Sequence, residues 1–290
     1  MFVCLTVDVD PDANRPATGR EDAVSSHCGD SVALDACRAG LDVIAGLLEE
    51  FALPCTLFWE ARTLETLSSS APEVCRRFLK NPACEHACHG LRHEDFSGQD
   101  SGLPIGEAAT VRILSEATAI VVAHTGRPPV GFRAPYCRLT PALRAAIAQT
   151  GYRYDASLTR TAGPGYKLRP YRLEGADAAT PVWELALCRT RDRRGQPMTS
   201  YLWQMLEQNR TPDDYLHMAA ALSESCRGGL LQIALHPWHL IVNETGAPLA
   251  HDTAADLRAV LQGVKAIEGI AFITAADYLE RACRPQGRSG

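Results

Sequence analysis

No run of about eighteen apolar residues occurs anywhere in the 290-residue sequence, so no transmembrane helix is expected. Basic residues are missing ahead of the first apolar run, Met1 to Val7, which is also too short for the core of a secretory leader. The expectation is a cytoplasmic protein. A net charge of −5 lacks the strong basic bias that would suggest nucleic acid or an anionic membrane surface as partner. There is no Gly-x-Gly-x-x-Gly turn and no phosphate-binding loop, which argues against a nucleotide-binding sheet. Internal repeats and low-complexity tracts are absent too. The eleven cysteines form no disulfide framework: they are odd in number and scattered through apparent strands and helices, as small buried hydrophobes are.

What is present is ordinary globular composition, with 46% hydrophobic and 22% charged residues. Residues 2–9 read as a buried strand that delivers Asp8 and Asp10 at its end, followed by a loop running to about Asp30. A loop that long is unusual unless functional, and it is a candidate rim for a substrate site. Asp30 or Ser31 is placed to cap a helix in which Leu34, Cys37, Leu41, Ile44, Leu47 and Leu48 recur at helical spacing. Further strands are expected at 54–59, 84–88, 130–133, 182–185, 230–235 and 271–273. Helices are expected near 60–68, 72–80, 105–124, 140–149, 198–208, 211–227, 252–266 and 275–283. Residues 158–194 carry little periodic signal. The alternation of short apolar strands with helices argues for a parallel sheet covered by helices, with polar motifs at the strands' C-terminal ends.

His89 and His93 stand four apart, a spacing that on a helical turn brings both imidazoles to one side to close on a cation. With Cys84, His86 and Cys88 they also offer the donors of a structural zinc cluster, although a second distant Cys/His pair is missing. Asp8 and Asp10 alternate along an extended strand end, so their carboxylates face the same way. An aspartate joined to His89 and His93 makes a His-His-Asp set that leaves room for water, as a hydrolytic site requires. Cleaving an amide further needs a base for the water and an acid for the departing amine. Asp8 and His236 are the candidates, His236 ahead of His239 because it lies first past its strand.

The segments Thr6-Val7-Asp8-Val9-Asp10, His89 to His93, Phe132-Arg133-Ala134-Pro135-Tyr136, Tyr154-Asp155 and Leu235-His236-Pro237-Trp238 follow one another in the order seen in polysaccharide deacetylases. The chain resembles the NodB-homology proteins of carbohydrate esterase family 4 from residue 2 to about 280. That resemblance implies an α/β fold, a distorted (β/α) barrel of seven or fewer units, forming one catalytic domain over residues 1–283 with a tail at 284–290. It implies a divalent ion, zinc first and cobalt, nickel or manganese as alternatives, held by Asp10, His89 and His93. Asp8 would be the base, Arg133 its partner, and the backbone N–H near Tyr136 an oxyanion donor. Asp155 would hold His236 as the acid.

One departure matters. The family's first motif commonly has adjacent aspartates, whereas Val9 separates Asp8 from Asp10. The spaced form resembles a subset that includes peptidoglycan deacetylase-like proteins, allantoinase-like proteins acting on cyclic ureides, and lipid-linked aminoarabinose deformylases. The expected activity is metal-dependent hydrolysis of a C–N amide bond, N-deacetylation of an amino sugar or sugar precursor, small or lipid-linked. A cyclic ureide hydrolase, a deformylase and a non-catalytic carbohydrate-binding protein are the alternatives, and the sequence leaves homo-oligomerisation open. The loops 11–30 and 241–251 and the segment 158–194 are expected to shape specificity.

Overall fold

The protein's structure, a computed structural model, describes residues 1–24, 34–176 and 181–283. The first half alternates as the sequence suggests: β1 (Phe2–Val9), α1 (Asp35–Phe51), β2 (Cys55–Trp59), α2 (Ala61–Ser70), α3 (Pro72–Leu79), β3 (Cys84–Cys88), α4 (Glu107–Thr125), β4 (Gly131–Phe132), α5 (Pro141–Gln149) and β5 (Tyr154–Asp155). Short strands follow, β6 (Thr159–Thr161), β7 (Tyr171–Arg172), β8 (Trp183–Glu184), β9 (Leu187–Arg191) and β10 (Pro197–Thr199). The chain closes with α6 (Trp203–Leu206), α7 (Pro212–Ser225), β11 (Leu230–Leu235), α8 (Thr253–Ala266), β12 (Ala271–Phe272) and α9 (Ala275–Cys283).

The main sheet runs β11-β1-β2-β3-β4-β5-β8-β7, with β12 also on β1, and every pairing except β7 with β8 is parallel. It curls into a distorted (β/α) barrel, as the sequence leads one to expect. Strand β1 shows why: Val3, Leu5, Val7 and Val9 face outward into the helices, where α1 lays Cys37, Leu41, Ile44 and Leu48 against them. Burying one such aliphatic side chain contributes about 1.5–3 kcal/mol. Cys4 faces inward among Phe58, Ala87 and Tyr154, and Thr6 and Asp8 follow it on the same side by alternation. With both faces covered, the strand reads as a near-continuous apolar run.

Strand register sets the rim. Val7 pairs with Leu235, Val9 with Trp59, Trp59 with Cys88, Cys88 with Phe132, Phe132 with Asp155, and Asp155 with Glu184. The strands therefore end in step, and the residues just past them, from Asp10 and His89 to Arg133 and His236, gather at one end of the barrel. At the other end Glu85 accepts hydrogen bonds from Thr56, Tyr154 and the Ala276 N–H at 2.8, 2.7 and 2.9 Å, which pins the start of α9 beneath the barrel.

Three sequence expectations change. Residues 198–208 are not one helix: β10 and an extended link precede the single turn of α6, because Tyr201 bridges to Ala234 of β11 and tertiary pairing overrides helical composition. The N-cap of α1 is Leu34; Asp30, Ser31, much of the loop expected over 11–30 and the tail 284–290 lie outside the described residues. The segment 158–194, which carries little periodic signal, supplies β6 and β9, and these join β10 just beyond it in a small sheet, β10-β9-β6, against the barrel mouth. The proline-started helices are as expected, Thr140 accepting from Leu143 N–H at 3.1 Å and Thr211 forming a capping box with Asp214. No helix among the described residues is long and apolar enough to cross a membrane.

Candidate active site

His89 and His93 do not sit on a helical turn. They flank a tight loop after β3 in which Gly90 has φ +86° and His93 φ +55°, values a helix forbids. Glu94 fastens this loop, its carboxylate accepting from Leu91 N–H at 3.0 Å and Arg92 N–H at 2.7 Å. A Cβ on Gly90 would fall 2.7 Å from Glu94 Oε2. Gly90→Ala is therefore expected to cost about 1–2 kcal/mol from the left-handed backbone and to weaken metal retention. Thermal melting and zinc stoichiometry of the variant check both.

Asp10, His89 and His93 are all buried, and their candidate ligand atoms lie within 4.8 Å of one another. Asp10 Oδ1 accepts from Trp238 Nε1 at 2.8 Å, which leaves Oδ2 aimed at the imidazoles, 3.2 Å from His93 Nε2 and 3.9 Å from His89 Nε2. His89 Nδ1 lies 2.8 Å from the Arg133 carbonyl, so Nδ1 carries the hydrogen and the Nε2 lone pair points inward. Asp10 Oδ2 and His89 Nε2 are buried with no hydrogen-bond partner. Burial and the neighbouring Asp8 charge push the Asp10 carboxyl well above its ordinary value, while burial pushes both histidines down, to neutral imidazoles. A carboxylate in need of positive charge beside two neutral imidazoles fits a divalent cation. The Cys/His cluster is not formed: His86 accepts from Trp59 Nε1 at 3.1 Å, and Cys84 and Cys88 are free thiols of β3.

Beside this set, Asp8 Oδ1 accepts from Arg133 Nη1 at 2.6 Å. Arg133 is fully buried and also donates to Thr6 Oγ1, the Ala156 carbonyl and Gln232 Oε1 at 3.1, 2.9 and 2.9 Å, with its guanidinium 4.2 Å from the Phe58 ring centre. Burial alone would raise the Asp8 carboxyl; the Arg133 charge, with help from the Tyr201 hydroxyl, outweighs it and holds the group below its usual range. Asp8 is thus ionised. Tyr201 donates to Asp8 Oδ2 at 2.8 Å, and the same hydroxyl is 3.0 Å from His236 Nε2 and 3.1 Å from Nδ1. His236 turns 23% of its side chain to the cavity, and its enclosure still pushes the ring down to about 3.

Asp155 is not joined to His236 by any hydrogen bond or ion pair among the described residues. It accepts from the Ser157 N–H and hydroxyl at 2.9 and 2.8 Å, and burial raises both its carboxyl and that of its neighbour Glu184. Ser157 in turn accepts from Ala134 N–H at 2.7 Å, so Asp155 buttresses the Arg133 segment. The strand register explains the difference: Asp155 pairs with Glu184, away from β11. His239 is held by Glu207. Tyr136 has φ +58°, lies over His93 with ring centres 4.5 Å apart, and donates its hydroxyl to the Asn14 carbonyl at 2.9 Å. Sequence reasoning missed Tyr201 and Gln232, and the role of Trp238. Only Trp238 stood inside a motif.

Asp8, Asp10, His89, His93, Tyr136, Tyr201 and His236 share a cavity of about 320 Å³ whose walls include Asn14, Arg15, Leu187, Trp203 and Glu244. The described part of the first loop and the small sheet thus both contribute, as does the 241–251 loop through Glu244, which pairs with Arg15 at 3.3 Å.

The family profile for polysaccharide deacetylases matches residues 32–154, which takes in His89 to His93 and the Arg133 segment. The peptidoglycan deacetylase of Helicobacter pylori (strain ATCC 700392 / 26695) is 24% identical over 193 residues, 63% of this chain. The match spans 60% of that relative's length. Among solved structures, a probable polysaccharide deacetylase from Pseudomonas aeruginosa PAO1 superposes with a TM-score of 0.65 at 18% identity, covering 98% of this chain and 92% of the other. PuuE allantoinase superposes with a TM-score of 0.66 at 18% identity, covering 98% and 91%.

Proposed function

We propose, from the match of residues 32–154 to the polysaccharide deacetylase family profile and the fold shared with a probable polysaccharide deacetylase, that this protein hydrolyses a C–N amide bond and removes the acetyl group of a small N-acetylated amino sugar or sugar precursor. The observation that carries the reading is the buried Asp10, His89 and His93 set beside an ionised, arginine-held Asp8 in one small cavity. Asp10, His89 and His93 would hold a divalent cation, zinc first among the candidates, which when bound polarises the substrate carbonyl and acidifies water.

The chain's own groups divide the remaining work. Asp8 takes the proton of the attacking water, and Arg133 keeps it ionised and aimed. His236, neutral at rest because its enclosure disfavours the charged form, takes up a proton from cavity water during turnover and gives it to the amine nitrogen as the C–N bond breaks, while Asp8 returns the proton it took to solvent, so that the cycle closes. The backbone N–H at Tyr136 is the candidate donor to the developing oxyanion. A cavity of about 320 Å³ favours a small molecule over a long polymer. Asn14 Oδ1 and Thr199 Oγ1, buried in its lining without hydrogen-bond partners, supply contacts to a polar ring.

Metal-replete protein incubated with N-acetylglucosamine derivatives is expected to release acetate. Failure to release acetate or formate from any sugar amide overturns this reading. The small volume of the cavity and the fold shared with PuuE allantoinase also favour a second reading, opening of a cyclic ureide, whose product gains the mass of water and releases no acid fragment.

A further inference from the structure

The hydroxyl of Tyr201 stands between the two side chains that handle protons, 2.8 Å from Asp8 Oδ2 and 3.0 Å from the nearer nitrogen of His236. Asp8 is an acceptor only, so the hydroxyl hydrogen goes to the carboxylate and the oxygen's lone pairs face the imidazole. With Arg133 on Oδ1 and Tyr201 on Oδ2, both oxygens of Asp8 are held from opposite sides.

The tyrosine is itself fixed. Its backbone bridges to Ala234 of β11, Leu202 N–H donates to the Ala234 carbonyl at 2.8 Å, and the Tyr215 hydroxyl donates to the Tyr201 carbonyl at 3.0 Å. The ring packs beside His236, centres 5.3 Å apart, and Trp238 stacks on the imidazole with ring centres 5.1 Å apart and planes 26° apart. Asp155, the residue otherwise expected to orient His236, is committed to Ser157. His236 forms no side-chain hydrogen bond to any other described residue than Tyr201, and its Nε2 lies 3.4 Å from Asp10 Oδ2.

We propose that Tyr201 is the positioning residue of this site, orienting Asp8 and His236 together through one hydroxyl. The proposal rests on the amide-hydrolase reading for its kinetic arm and on geometry alone for its crystallographic arm.

The test uses the zinc-loaded full chain and Tyr201→Phe, which keeps the ring and removes only the oxygen. The probes are N-acetylglucosamine and p-nitrophenyl acetate, whose leaving group departs without a proton. Zinc content is expected to be unchanged. On any probe that wild type turns over, kcat is expected to fall roughly tenfold to a hundredfold, as for loss of a hydrogen bond to a charged group, with KM within about twofold. On N-acetylglucosamine, whose amine needs the acid, the losses in Tyr201→Phe and His236→Ala are expected to be non-additive, since one residue acts partly through the other. A kcat equal to wild type, or strictly additive losses, overturns the proposal.

Crystal structures of both zinc-loaded proteins give an answer even where neither probe is turned over, an outcome that counts against the substrate class and not against Tyr201. In wild type Tyr201 Oη is expected within hydrogen-bond distance of Asp8 and His236. In Tyr201→Phe the His236 ring is expected to adopt a second rotamer or Asp8 Oδ2 to turn away. Asp8 and His236 superposing unchanged in the variant would reject the positioning role.

Discussion

Asp10→Asn protein is expected to purify folded and without metal. In the metal-free chain the Asp10 carboxylate is opposed by burial and by the charge of Asp8, so a neutral amide removes an unfavourable charge and can still accept from Trp238 Nε1. Its melting temperature without metal should equal or exceed that of wild type. Wild type should be stabilised by added zinc in proportion to the logarithm of its concentration over Kd, and the variant should not. Loss of the cation removes several kcal/mol of charge stabilisation, on the order of a thousandfold or more in kcat. Elemental analysis and calorimetry with and without zinc check the outcome, and full metal occupancy in the variant would remove Asp10 from the ligand set.

Arg133→Leu should be the most damaging single change away from the metal ligands. Arg133 is fully buried, its ion-pair partner Asp8 is 2% exposed, and deleting one member leaves an uncompensated charge beneath the cavity. The loss expected for breaking such a pair is about 3–5 kcal/mol. It also has a pH signature. The guanidinium is the main influence that lowers Asp8 against the raising effect of burial. A carboxyl depressed in the folded state stabilises the fold above its unfolded pKa and loses that contribution as pH falls through the folded value. Without Arg133 the Asp8 carboxyl rises, so the acid limb of stability and of kcat/KM moves to higher pH. Arg133→Lys keeps charge but not the four-way hydrogen bonding, and should recover the pH limb more than the rate. Denaturant unfolding and kcat/KM against pH for the three proteins distinguish these effects.

The sequence made the candidate metal set and the barrel legible for a definite reason. Val3, Leu5, Val7 and Val9 alternate with Cys4, Thr6 and Asp8, so the strand and the facing of its carboxylates follow from one period. The helix over 35–51 was equally plain, because seven of its residues are buried at helical spacing. The proton-handling side of the pocket was not plain. Tyr201 lies in a stretch of helical composition, and what makes it extended is pairing with Ala234, thirty-odd residues further along the chain. Asp155 and Glu184 end strands of two residues each, too short to show any period. Their mutual pairing, which redirects Asp155 to Ser157, is a product of sheet order alone. The loop carrying His89 and His93 misled through its spacing: four residues fit a helical turn, yet Gly90 and Glu94 build a different curve with the same reach.

The order in which the sheet collects its strands divides the pocket into two inheritances. All three candidate metal ligands lie within the first 93 residues, just past β1 and in the loop after β3, two strands joined across β2. Tyr201 and His236 arrive more than a hundred residues later, fastened to each other's neighbourhood by β11. Under the proposed function, the early part of the chain would determine what is held and the late part what is done to it. Changes in the link between β10 and β11 would then alter the proposed chemistry while the candidate cradle of Asp10, His89 and His93 stays as it was.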